Sequence, residues 1–415
     1  MNIALLVKEH VKRWDLSAQS LPCLNDQVTV AEKLEREGYL EAFARSMRPE
    51  SGPESLKGTE REKFLTAMKT NLGLFFRKAF CFSEEECAII MKNGFMQATS
   101  EFMKMARCFD PDVPLADVFQ AGRNLWIVNT LQVLFHRPVG LTNSVFAYSM
   151  LYPYTDNYLD DPTVPADQKH AFSARFRKRL LGETVLAANR QERMIFDLVS
   201  LIESDWERKR NPGVYASLLA IHDAQTRSIQ LMEPEQKADS DALLSICVEK
   251  GGTSVLADGY LVNGTLTPQQ EAFCFGFGVF LQYVDDIQDL VEDREGKLET
   301  FFTRACSLGS LDEWTNRTFS YMDTVLNELD CFPEENQWAM KGLMGKSIRF
   351  LLNEAIAKHP ELWSEQYVSQ WEAYSPFRYT YIRKRRGNME SNRISLMRKL
   401  EQYIYAEEAN ETVVV

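Results

Sequence analysis

The chain has 415 residues, 45% of them hydrophobic and 26% charged, with a formal net charge of −12. That length allows a large buried core in one big domain or two ordinary ones, and the composition excludes a disordered chain. The acidic balance argues against nucleic acid as a partner, because phosphate backbones need clustered Lys and Arg.

Leu, Ala, Met, Phe, Glu and Lys recur at helical spacing along nearly the whole chain, and strand-like alternation is rare. Helices are predicted over 28–46, 60–80, 84–107, 114–135, 142–160, 166–181, 186–208, 213–232, 239–262, 268–293, 311–330, 335–357, 361–373 and 391–407. Turn chemistry separates them: FDPDVP at 109–114, HRPVG at 136–140, DDPTVP at 160–165, NPG at 211–213 and LDCFPEEN at 329–336. RPESGPESLKG at 48–58 is the one strong linker. The expected organisation is an N-terminal helical appendage and linker over 1–58, a single all-α domain over 59–400, and an acidic tail over 401–415.

Eight cysteines (Cys23, Cys81, Cys87, Cys108, Cys247, Cys274, Cys306 and Cys331) stand without CxxC spacing, so neither a zinc site nor a disulfide framework is expected. The apolar run in MNIALLVKEHVKRWD is too short for a signal peptide, and no stretch reaches the roughly 18 apolar residues of a membrane span. The expected location is the reducing cytoplasm.

Two acidic motifs carry the chemistry. The first is YPYTDNYLDD at 152–161. On a helix, Asp156 and Asp160 lie one turn apart on one face, and Ser149 and Tyr152 continue it. Pro153 should kink or restart the helix, and Pro162 should end it at Asp161. Carboxylates at a helix C-terminus face the wrong end of the dipole. Two of them about 5 Å apart repel by ~3 kcal/mol at an effective dielectric of ~20. The second motif is FLQYVDDIQDLVED at 280–293. Asp285, Asp289 and Asp293 form an i, i+4, i+8 stripe, with Asp286 adjacent, and the same face runs back through Gln282 and Gly278. The glycines of the preceding CFGFGVFLQY each cost about 1 kcal/mol in a helix interior, which suggests that they make room.

A solvated acidic surface accounts for either motif alone. It accounts less well for the pair, since each follows a strongly apolar, aromatic segment. Calcium-loop spacing is absent. Magnesium suits the pattern better, because it takes few carboxylates and completes its octahedron with water and substrate phosphate. Two facing carboxylate helices with magnesium between them make a diphosphate trap at the mouth of an apolar pocket.

On these residues the sequence resembles the class I isoprenoid synthases, which include terpene synthases, polyprenyl diphosphate synthases and squalene/phytoene synthases. TDNYLDD resembles their first aspartate-rich motif in its DxxxD form. DDIQDLVED resembles the second, in the DDxxD form through Asp285, Asp286 and Asp289, and in the metal-triad form through Asp285, Asp289 and Asp293. EKGGTSVLADGYLVNG is similar to the polyprenyl synthase stretch before that motif, and EDREGKLETFFTRA to the stretch after it in large bacterial terpene synthases. The resemblance covers about 115–305. It implies an all-α bundle around an apolar cavity, a prenyl diphosphate substrate and three Mg²⁺ ions held by Asp156, Asp160, Asp161, Asp285, Asp286, Asp289 and Asp293.

For the diphosphate, Arg227 in IHDAQTRSIQL resembles the family's sensing arginine, and it should pair with Asp223 one turn away in the empty site. Lys250 resembles the polyprenyl synthase lysine. Arg294 and Lys297 follow the second motif, and Arg378 with Tyr379 is similar to the pair that closes over bacterial terpene synthase sites. Each has an alternative reading as an ordinary surface or packed residue. Phe146, Tyr148, Tyr152, Phe277 and Phe280 are the candidate cavity residues. The basic run at 383–386 leaves peripheral membrane contact open, and a homodimer is compatible with the family.

Departures from the family shape the expectation. No GKxxR precedes the first motif, and PTVPADQKH follows it in place of an arginine pair, so cyclisation of one substrate is favoured over chain elongation. Asp285 and Asp289 stand where terpene synthases normally carry Asn and Ser, and squalene-type condensation stays open. His222–Asp223 alternatively suggests an HD-type metal phosphohydrolase, but five histidines are too few for its ligand set. A non-catalytic helical scaffold is the remaining alternative.

Overall fold

Capping chemistry starts most of the helices that matter here. Thr142, Asn189, Asp239 and Thr267 each accept a hydrogen bond from a backbone N–H in the first turn of the helix they precede. The computed structural model describes residues 1–22, 27–46, 59–161, 163–230, 239–296, 298–385 and 401. All of its regular structure is helical, with no strand among the described residues. In chain order the helices are α1 Ile3–Leu16, α2 Val30–Ser46, α3 Thr59–Leu74, α4 Glu84–Lys92, α5 Phe95–Phe109, α6 Leu115–Leu134, α7 Asn143–Asp160, α8 Ala166–Leu180, α9 Arg190–Asp205, α10 Pro212–Gln230, α11 Ser240–Asn263, α12 Pro268–Gln288, α13 Leu290–Glu295, α14 Phe301–Leu308, α15 Asp312–Leu326, α16 Gln337–Lys358 and α17 Glu365–Tyr374. A π-helical turn, Phe75–Ala79, continues α3.

The chain forms two compact units, Met1–Pro22 with Gln120–Gln337, and Cys23–Phe119 with Trp338–Val415. The first holds both acidic motifs. At its centre, α11 packs along α12 and also touches α10, α7, α1 and α14. The core of α12 is aromatic: Phe273, Phe275, Phe277, Phe280 and Tyr283 are all buried. α1, which lies within the stretch expected as an appendage, packs inside this unit. Leu6, His10 and Trp14 are its buried face, at i, i+4, i+8 spacing. Trp14 meets Tyr283, Phe301 and Phe302, and His10 Nδ1 lies 2.6 Å from the Tyr321 hydroxyl.

In the second unit, Glu86 is buried. It accepts a hydrogen bond from Lys346 Nζ at 2.7 Å and closes a capping box with Ser83. Arg378 forks onto Glu37, and the buried Tyr379 hydroxyl donates to Asn353 at 3.0 Å.

Two helical predictions need correction. Residues 84–107 form two helices, because Gly94 adopts a left-handed φ of 93° between α4 and α5. The helix expected over 268–293 stops at Gln288 and restarts at Leu290. α7 runs through Pro153 without a restart. Two helices, α1 and α14, were not predicted. The predicted helix 391–407 falls outside the described residues except for Glu401, and linker 48–58 falls wholly outside them. No helix among the described residues is long and apolar enough to cross a membrane.

Candidate functional site

One face of α7 lines a pocket. Tyr148, Leu151, Tyr152, Thr155 and Asp156 repeat at three- and four-residue intervals, so their side chains stack along one side of the helix. α7 ends where expected: Asp161 has extended backbone (φ −65°, ψ 113°), as a residue before proline must. Opposite walls come from Asn124 on α6, Phe176 and Leu180 on α8, Leu218, Ile221, His222 and Gln225 on α10, Lys250 and Ser254 on α11, and Gln282 on α12. The cavity holds about 650 Å³ counting its open mouth.

Asp156 is buried on this wall. Its Oδ1 accepts hydrogen bonds from Gln225 Nε2 at 2.5 Å and from Thr155 Oγ1 at 3.2 Å. Tyr148 donates to the Ser254 carbonyl at 3.0 Å. Asn124 donates through Nδ2 to Ser149 Oγ at 3.2 Å and to Asp258 Oδ1 at 3.1 Å. Asp258 is fully buried, and burial pushes its carboxyl well above the usual carboxylate range. Burial thus favours its protonated form.

Tyr152 reports how the two acidic motifs meet. Burial pushes its hydroxyl well up, Asp156 and Asp285 push it further, and Lys250 and Arg123 oppose them. One hydroxyl thus senses a carboxylate from each motif and two cations. Arg123 Nη1 lies 3.9 Å from Asp285 Oδ1, with both side chains well exposed.

The second motif is electrostatically crowded. Asp286 is buried and accepts from Gln282 Nε2 at 2.8 Å and from the Cys247 thiol at 3.2 Å, and burial pushes it up to about 6. Burial and then Asp286, Asp289 and Asp285 push Asp293 up to about 7. Although the helix breaks at Asp289, the turn spacing survives. The Asp289 N–H donates to Asp285 O at 2.9 Å, and the Asp293 N–H to Asp289 O at 2.8 Å. Asp289 itself is exposed.

The other predicted residues fall in several places. Asp161 caps its own turn, accepting from the backbone N–H and the hydroxyl of Thr163 at 2.8 and 2.7 Å. Asp160 ends α7, and its side chain is outside the described set, as is Lys297. The expected Arg227–Asp223 pair is absent. Arg227 forks onto Glu249, with Nε 2.9 Å from Oε2, and Arg177 of α8 takes Asp223 at 2.9 Å. An arginine from the neighbouring helix reaches both carboxylate oxygens, which a residue one turn away on the same helix does not do here. Arg294 is exposed, with Nη1 3.8 Å from the Cys306 sulfur. Arg378 and Tyr379 belong to the second unit. Phe146, Phe277 and Phe280 are packed in the core, while Tyr148 and Tyr152 line the pocket.

Sequence reading missed Arg123, Asn124, Gln225 and Asp258 and set His222 aside. GRNL carries no motif signal, nothing in the stretch EKGGTSVLADGYLVNG singled out Asp258, and only the folded chain brings Asn124 to Asp258. Among the described residues, no three His, Cys, Asp or Glu side chains already surround one point as a metal group. No protein-family model, curated protein or solved structure matches this chain.

Proposed function

We propose that this chain is a Mg²⁺-dependent class I isoprenoid synthase that ionises a prenyl diphosphate and converts the allylic cation to a cyclised terpene. The observation that carries this reading is the surroundings of Tyr152. At the wall of an open-mouthed, largely apolar pocket, its hydroxyl feels Asp156 of the first acidic motif, Asp285 of the second, and Lys250 and Arg123.

The donor set suits magnesium in its chemistry. Carboxylate oxygens are the hard ligands it prefers, and few are needed when water and phosphate complete the shell. Mutual repulsion within 285–293 is what a divalent cation relieves, and binding has to draw these side chains together. When bound, Mg²⁺ supplies Lewis-acid assistance to the departing diphosphate. Lys250, Arg123 and Arg227 are the charge-assisted donors for its oxygens. Tyr148, Tyr152 and Phe176, with Leu151, Leu180, Leu218 and Ile221, make a wall that excludes water and provides aromatic surface for a carbocation.

A chain-elongating prenyltransferase needs a second diphosphate site. No GKxxR precedes the first motif and no arginine pair follows it, the elements that build that site in the elongating enzymes, which favours a single substrate. The test is incubation with geranyl through heptaprenyl diphosphates and Mg²⁺, with and without isopentenyl diphosphate, reading diphosphate release and extracted products. Hydrocarbon or alcohol from one substrate is expected. Longer prenyl diphosphates formed only with isopentenyl diphosphate would move the chain to the prenyltransferases, and no diphosphate release from any substrate would remove it from both.

A further inference from the structure

Cross-links between the helices mark two levels in the pocket. At the upper level, Gln225 of α10 donates to Asp156 of α7 at 2.5 Å, and Lys250 of α11 acts on the Tyr152 hydroxyl of α7. At the lower level, Tyr148 of α7 donates to the Ser254 carbonyl of α11 at 3.0 Å. α7 and α11 are thus antiparallel. α10 is antiparallel to α11 as well, because Arg227 pairs with Glu249 near one end and Gly213 lies against the Tyr260 ring near the other. α10 therefore runs parallel to α7, and Leu218 comes level with Tyr148. α8 is tied to α10 by Ser173, 2.8 Å from the Thr226 hydroxyl, and by Arg177, 2.9 Å from Asp223. Continuing that antiparallel register brings Leu180 to the level of Leu218.

The two levels differ in chemistry. Asp156, Gln225 and Lys250 stand at the upper one, and Leu180 and Leu218 at the lower one. Both leucines are buried, at 1% and 2% exposure, and Arg208 holds the Leu180 carbonyl from outside the lining. The lower end is a packed floor. Tyr148 lies eight residues before Asp156, and Leu218 seven before Gln225. At a rise of about 1.5 Å per residue, either helix puts the floor roughly 10–12 Å below the acidic level.

We propose that this pocket is measured for farnesyl diphosphate, and that Leu218 and Leu180 set the limit from below. The inference rests on the isoprenoid synthase reading above, which leaves chain length open. With the diphosphate at the acidic level, the hydrocarbon tail points down towards the two leucines. Each isoprene unit adds four main-chain carbons, about 5 Å when extended. A geranyl tail of two units spans the depth lying straight, which holds its ends apart. A farnesyl tail of three units fits by bending, the posture that ring closure requires. A geranylgeranyl tail of four units, about 20 Å long, meets the floor near its middle.

The test is kcat/KM of the wild type, read as diphosphate release, for geranyl, farnesyl, geranylgeranyl and longer prenyl diphosphates. Farnesyl should exceed geranylgeranyl by about tenfold or more. Leu218→Ala deepens the pocket and should raise geranylgeranyl relative to farnesyl by about tenfold, whereas Leu218→Phe raises the floor and should move the preference towards geranyl. Calorimetric binding of the unreactive thiolodiphosphates of the same chains to the wild type should follow the same order, which keeps the test open if a variant fails to fold. A wild type that uses geranylgeranyl or a longer chain as well as farnesyl would overturn the length assignment and leave the synthase reading standing. Folded Leu218 variants with unchanged preference would overturn it in the same way. If no chain releases diphosphate, the synthase reading falls and this one falls with it.

Discussion

Gly278 meets Gly251 where α12 crosses α11: a Cβ on Gly278 would lie 2.1 Å from the Gly251 carbonyl oxygen. The obstacle is backbone, which cannot swing aside as a side chain can. α11 carries Lys250 and Ser254 into the pocket wall and α12 carries Gln282, so this contact sets the spacing of two walls. Gly278→Ala should destabilise the protein by about 3 kcal/mol or more, read from the denaturation midpoint. Gly122 in α6 is the control. Nothing lies within 4 Å of its added Cβ, and Ala there should be neutral or stabilising by up to about 1 kcal/mol. Equal behaviour of the two variants would show that the helix crossing is looser than described.

Asp258 gives a pH-dependent prediction. Its carboxyl is raised in the folded chain, whereas in the unfolded chain it ionises from about pH 4 upward. Stability from this group is therefore full below that value and declines as pH rises. Asp258→Asn keeps an acceptor for Asn124 and removes the decline. The variant should match wild type near pH 3 and exceed it at pH 7 by more than about 1 kcal/mol. Denaturation curves at the two pH values decide it.

His10 has the opposite sign. Burial lowers it to about 3, so the folded chain holds it neutral while the unfolded chain protonates below about 6.5. Stability is intact above that pH and falls below it, by about 2 kcal/mol at pH 5 from this residue alone. His10→Gln retains a polar partner for Tyr321 and should flatten the acid limb of the stability profile. A limb of unchanged slope would place the acid sensitivity elsewhere.

The carboxylates of the two motifs should separate chemistry from folding. Asp285 is partly exposed and loosely paired with Arg123, so Asp285→Asn should change stability by less than about 0.5 kcal/mol. On the proposed function it should lower diphosphate release by about 100-fold or more. Asp156→Asn should also abolish release while the protein stays folded. Mg²⁺ with inorganic diphosphate should raise the melting temperature of wild type and not of either variant. A large fall in melting temperature with activity retained would remove these residues from the site.

Periodicity and turn chemistry alone made the all-helical class legible, along with most helix boundaries and the location of both acidic stretches. These depend on neighbours within a few residues, and α7 begins and ends where Thr142 and Pro162 require. The room-making role of the glycines near 278 was also visible, because a glycine inside an apolar helix has a cost that packing must offset. The partners of the acidic residues were not legible. Arg123 reaches Asp285, Gln225 reaches Asp156, and Arg177 takes Asp223 from Arg227, each from a helix distant in sequence. A side chain's partner depends on which helix faces settle against each other, and that is decided by the summed packing of α7, α10, α11 and α12. The same packing encloses His222 and Asp258 and shifts their protonation, because burial belongs to the folded unit and to no local stretch of chain.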